Sequence, residues 1–99
     1  MISQKLLEQM IQKYGEKKQL IIVKEELAEL IVSISKLERE SNEEGVCLRI
    51  ASVAEEEGDV RIMLEQLDIM MLKHDPEYTG KVECEMRRKE QRIKRMLNE

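Results

Sequence analysis

Apolar residues Leu6, Leu7, Met10, Ile11 and Tyr14 recur at spacings of three and four, which is the period of one helix face. Ser3 before the run suits an N-cap and Gly15 after it suits a stop, so a short first helix is predicted. Over residues 17–40 the stripe Val23, Leu27, Leu30, Ile34, Leu37 predicts a second helix, with Glu26, Glu29 and Ser33 along the edge of that stripe. Ser41-Asn42-Glu43-Glu44-Gly45 is the clearest turn cluster in the first three quarters of the chain. A third helix follows over 46–74, with Ile50, Val53, Val60, Leu64, Leu67 and Met71 on one seam and Ile62, Met63, Ile69 and Met70 on other faces. Asp75-Pro76 reads as an N-cap and first helical position. The fourth helix it opens is loosened near Gly80 and reaches about Leu97.

No segment reads as a strand, a linker or low-complexity sequence, so the expected class is all-α, in one domain over residues 1–99. The second and third helices form a helical hairpin, the heart of a four-helix-bundle-type core. A segment apolar on most sides, as 62–72 is, needs neighbours on most sides. One short chain cannot supply them all, so the core is expected to be completed by oligomerisation, as a homodimer or homotetramer with 62–72 in the interface.

Composition narrows the picture. Charged residues make up 38% of the chain and aromatics 2%, with no Trp or Phe, so the core is aliphatic and Met-rich. A net charge of -4 provides no footprint for nucleic acid, and the Arg/Lys-rich tail reads as a solvated helix face. No apolar stretch is long enough for a bilayer, so no membrane partner is expected. Cys47 and Cys84 lack CxxC or Cys/His spacing, and no secretory signal is evident. Two reduced thiols and a cytoplasmic location are therefore expected.

The candidate chemistry lies in two acidic motifs, Glu25-Glu26-Leu27-Ala28-Glu29 and Glu56-Glu57-Gly58-Asp59. Each holds a carboxylate pair at i, i+3, hence on one helix face. The midpoint between the pairs falls inside the turn cluster, so an antiparallel hairpin brings Glu26, Glu29, Glu56 and Asp59 to one height. Converging carboxylates between packed helices repel one another and are costly to desolvate unless a cation is present. An all-oxygen donor set selects a hard ion, Mg2+ or Mn2+. Gly58 costs about 1 kcal/mol relative to Ala within a helix, which suggests that a partner or ligand comes close.

These motifs, with a 26-residue spacer between Glu29 and Glu56, resemble the EExxE...ExxD signature of MazG-like all-alpha nucleoside triphosphate pyrophosphatases, in particular the small single-domain bacterial and phage members. Tyr14-Gly15, Leu30-Ile31, Ile34-Ser35-Lys36 and the run Asp59-Val60 to Leu67 extend the resemblance over most of residues 14–67. By position, it implies Mg2+ ligands at Glu26, Glu29, Glu56 and Asp59, and hydrolysis of (deoxy)nucleoside triphosphates to monophosphate and pyrophosphate. The charged tail from Glu83 to Arg92 departs from the basic and aromatic positions expected to contact substrate.

Lys36, two turns beyond Glu29 and about 10 Å along the axis, is placed either to neutralise a substrate phosphate or as a surface lysine. Arg49 and Ser52 share the face of Glu56. Glu25 and Glu55 flank the ligands and are placed to deprotonate an attacking water or to be solvated; Glu25 is taken as the catalytic candidate. His74 alone supports no nucleophilic triad, and no Glu-x-x-His spacing supports a di-iron bundle. The expected function is Mg2+-dependent nucleotide pyrophosphohydrolysis. The alternative is a helical interaction or regulatory protein that keeps the fold without turnover.

Overall fold

The computed structural model describes residues 2–99 and contains four α-helices and no strand among them. Helix α1 (Gln4–Tyr14) begins where Ser3 is extended and its Oγ accepts from the Leu6 N–H at 3.2 Å. It ends at Gly15, whose φ of 88° is the left-handed region open to glycine. The Gly15 N–H donates to the Ile11 carbonyl at 2.8 Å, and the Gly15 carbonyl accepts the Gln19 N–H at 3.1 Å. One residue thus closes α1 and opens α2 (Glu16–Arg39). Both predicted ends of the first helix are found.

The hairpin turn is shorter than the turn cluster suggests. Glu40 turns extended at the end of α2, and Asn42 caps α3 (Glu43–His74) by accepting the Gly45 N–H on its Oδ1 at 2.7 Å. An asparagine cap followed by two glutamates favours an early helix start, because both answer the unpaired N–H groups of the first turn. Glu43, Glu44 and Gly45 therefore belong to α3 rather than to the turn. The Glu40 side chain lies across Gly45, so a Cβ there would require that flexible side chain to move aside.

Contacts gather into two compact units, one ending at Leu67 and one spanning Asp68–Glu99. In the first, the inward stripe of α2 is Gln19, Val23, Glu26, Leu30, Ser33 and Leu37, all buried or half-buried. On α3 the matching stripe is Val46, Arg49, Val53, Glu56, Val60, Met63 and Leu67. Both follow a four-and-three spacing, the seam of two helices crossing at a small angle. The seam is rotated from the expected one: Leu27, Ile34, Ile50 and Leu64 are exposed, while Gln19, Ser33 and Gln66 are buried. The apolar arc of each helix is wider than one neighbour can cover, and the part that turns inward carries polar side chains. Leu7 and Ile11 of α1 are buried, and α1 contacts α2.

The segment 62–72 is better covered than its composition suggests. Met63 and Met70 are buried, and only Leu64 and Leu72, at 41% and 37% exposure, stand out among its apolar residues.

In the second unit, the Asp75 carboxylate accepts the Glu77 N–H at 3.0 Å and pairs with Lys81. The Asp75 carbonyl accepts the Tyr78 N–H, closing a turn that leaves Pro76 and Glu77 outside the helix. Helix α4 (Tyr78–Leu97) thus starts later than Asp75-Pro76 predicts, and it runs unbroken through Gly80. None of its residues is buried.

Two glycines give opposite expectations. Nothing lies within 4 Å of a Cβ built at Gly58, so the close approach expected there is not made by this chain. Gly58→Ala should stabilise by about 1 kcal/mol in urea unfolding through helix propensity alone. Gly15→Ala should destabilise by about 1–2 kcal/mol, because the left-handed conformation penalises a Cβ.

Candidate functional site

Glu26 and Glu29 on α2 and Glu56 on α3 each place a carboxylate oxygen within 4.8 Å of the others. They meet because the short turn makes α2 and α3 antiparallel and pairs positions equidistant from it. Glu29 meets Glu56, and the same reflection pairs Ser33 with Ser52 and Lys36 with Arg49 along a single groove. The four residues predicted to share one height thus divide. Three converge, whereas Asp59, exposed and one turn beyond Glu56, lies outside the tight trio but close enough for its charge to act on Glu26 and Glu56.

Acidic side chains often gather on helix surfaces without an ion. Here the Oε2 atoms of both Glu26 and Glu56 are buried and have no hydrogen-bond partner. Burial raises the pKa of Glu26 above its ordinary value, and the neighbouring charges of Glu29, Asp59 and Glu56 push it the same way. Burial likewise raises Glu56, followed by Glu29, Asp59 and Glu55. No cation of the chain is paired with either carboxylate among the ion pairs of the described residues. Two buried orphan oxygens beside a third carboxylate form a donor set suited to a hard divalent cation.

Glu29 and Glu56 of the trio line one end of a groove of about 390 Å3 whose other lining residues are Ala28, Val32, Ser33, Lys36, Arg49 and Ser52; Glu26 stands outside its lining. Ala28 and Val32 supply its apolar wall. The Ser33 hydroxyl is buried without a partner, whereas Ser52 donates to the Leu48 carbonyl of its own helix at 3.3 Å. Arg49 is held by Glu40 at 3.5 Å, and Lys36 lines the groove beside it. The groove is therefore polarised, with carboxylates at one end and two cations at the other. Lys36, an exposed residue, is among the groove's lining. The Glu40–Arg49 pair is not foreshadowed by the sequence: reflection about the turn pairs Arg49 with Lys36, and Glu40 reaches Arg49 from one turn nearer the loop.

Glu25 is exposed, next to Glu26 in the sequence, and is neither in the trio nor among the groove residues. Cys47 and Cys84 are free, exposed thiols. No helix among the described residues is long and apolar enough to cross a membrane. No protein-family model matches the chain, and no curated protein or solved structure is significantly similar to it.

The raised carboxylates set the sign of a pH dependence. Glu26 and Glu56 hold their protons more tightly folded than unfolded, so the stability they contribute is complete below the ordinary glutamate pKa of 4.5 and is lost as pH rises through their raised folded values. Thermal unfolding in chelator should show the melting temperature falling across that window. Glu56→Gln should flatten the fall and raise the melting temperature at pH 8.

Proposed function

We propose that this chain is a metal-dependent nucleotide pyrophosphohydrolase of the MazG-like type, converting (deoxy)nucleoside triphosphates to monophosphate and pyrophosphate. The observation that carries this reading is the pair of buried, unpartnered carboxylate oxygens of Glu26 and Glu56 beside Glu29, two of which, Glu29 and Glu56, line the acidic end of a groove whose far end holds Lys36 and Arg49. The same residues make up the EExxE...ExxD motif whose resemblance suggests this activity. Glu26, Glu29 and Glu56, with Asp59 one turn away, would hold the cation, Mg2+ or Mn2+. Such an ion would supply charge neutralisation at the phosphoryl oxygens.

The chain's own residues do the rest. Lys36 lies about 10 Å from Glu29 along the helix, a span that suits a triphosphate laid from the acidic end to the basic end. In this orientation the α-phosphate rests by the carboxylates and the terminal phosphate by Lys36 and Arg49, with the Ser33 hydroxyl free to donate between them. Water adds to the α-phosphorus, the bond to the bridging oxygen of the β-phosphate breaks, and pyrophosphate departs toward the two cations. Glu25, adjacent to Glu26 in the sequence, is assigned to take the proton of the attacking water. Positioning and charge compensation are the main catalytic contributions.

Assembly belongs to the same proposal. Leu27, Ile31 and Ile34 form an exposed stripe on α2 at four-and-three spacing, and a second copy in a homodimer or homotetramer covers it. Light scattering should report a mass above that of one chain, and Ile31→Glu should lower it. A second reading, a helical interaction protein without turnover, draws on the exposed Val82, Met86 and Ile93 stripe of α4.

A panel of ribo- and deoxynucleoside triphosphates with Mg2+ separates the two readings. Pyrophosphate should appear for at least one nucleotide and vanish with chelator. Glu29→Gln should lower kcat by about 100-fold or more with helicity retained, as expected for loss of a group that organises transition-state charge. Lys36→Ala should raise KM by about tenfold, the scale of one charge-assisted contact. No pyrophosphate from any nucleotide, together with a melting temperature indifferent to Mg2+, would leave only the interaction reading.

A further inference from the structure

The buried polar side-chain atoms without a partner do not stop at the carboxylates. Gln19 and Gln66 are 1% and 2% exposed, deeper than either glutamate, and each has one orphan atom: the Nε2 donor of Gln19 and the Oε1 acceptor of Gln66. The reflection that pairs Glu29 with Glu56 and Lys36 with Arg49 also takes Gln19 to Gln66. One amide lacks an acceptor, the other lacks a donor, and their equal distance from the turn places them at one height on the two helices of the same compact unit. Leaving both unsatisfied in a dry interior is costly.

We infer that Gln19 and Gln66 form an amide clamp across α2 and α3, Gln19 Nε2 donating to one trapped water that in turn donates to Gln66 Oε1, and that this clamp positions the carboxylates. The force balance along the hairpin shows why such a clamp is needed. At the centre, Glu26, Glu29 and Glu56 repel one another. On the turn side, the Glu40–Arg49 ion pair and the short turn hold the helices together. On the open side, far from the turn, Gln19 and Gln66 are buried polar groups able to tie α2 to α3. Each lies seven residues, two helical turns, from a carboxylate on its own helix: Gln19 from Glu26, and Gln66 from Asp59. The clamp thus brackets the repulsive layer on the side that the turn cannot reach. The positioning role rests on the proposed cation site, whereas the pairing itself does not.

The test is a double-mutant cycle in the full chain. Gln19→Met and Gln66→Met keep side-chain length and shape, and each strands the other amide. Each single variant should lower the melting temperature in chelator by about 5–15 °C, while the double variant recovers most of that loss. Mn2+ titration followed by electron paramagnetic resonance should show the double variant binding about tenfold more weakly than wild type despite its recovered stability. Gln19→Glu guards against a single variant that fails to fold: its deficit relative to wild type should shrink on acidification, when the protonated carboxyl regains a donor. Additive losses in the cycle would overturn the clamp. Wild-type Mn2+ affinity in the stable double variant would overturn the positioning role. If wild type binds no Mn2+, the cation reading fails, the positioning role falls with it, and the thermal cycle alone decides the pairing.

Discussion

Like charge held at short range sets the terms on which α2 and α3 pack. Three carboxylates lie within 4.8 Å of one another, and two of them bury an oxygen with nothing to satisfy it. A hairpin can tolerate such a layer only if attractive contacts on either side hold the helices together or if a cation enters. The structure provides the first on the turn side, through Asn42 capping α3 and Glu40 reaching Arg49. The proposed cation would provide the second. The raised pKa values of Glu26 and Glu56 are the thermodynamic trace of the same conflict, because protonation relieves part of it.

The conflict also explains the unusual seam. A two-helix contact built for stability alone would place aliphatic residues at every inward position, since buried charges seldom repay their desolvation. Here Val23, Leu30 and Leu37 alternate with Gln19, Glu26 and Ser33 along α2, and Arg49 and Glu56 interrupt the valines of α3. The apolar positions supply cohesion; the polar ones line a groove. Residues that would have made a drier seam, such as Leu27, Ile31 and Ile34, face outward. On the proposed reading that outward stripe is where a second copy packs, so inward apolar burial is given up for a polar site while the outer face serves assembly.

Much was legible in the sequence because caps and periodicity are local. Ser3 and Gly15 bound the first helix through bonds to residues no more than four away, and these are found as expected. The two acidic motifs were legible as partners because a short turn makes distance from the turn a coordinate: Glu29 and Glu56, or Lys36 and Arg49, meet because they are equidistant from it. The errors at the helix starts have local causes too. Asn42 outcompeted the Gly45 signal, and the Asp75–Tyr78 turn held Pro76 outside α4.

The rotation of each helix about its own axis was not legible. Periodicity marks an apolar arc wider than any single contact, and which part of it turns inward depends on neighbours that only the folded chain supplies. Hence Leu27 and Leu64 were assigned to the core and proved exposed, while Gln19, Ser33 and Gln66 proved buried. The same rotation left Asp59 outside the tight trio and left the face of Gly58 open. Local hydrogen bonding and spacing, both encoded within a few residues, determined four helices, a hairpin and two facing acidic motifs. The helix–helix contacts of the folded chain decided which carboxylates converge, which amides go dry and where the two cations of the groove stand, because those depend on desolvation and charge summed over residues distant in sequence.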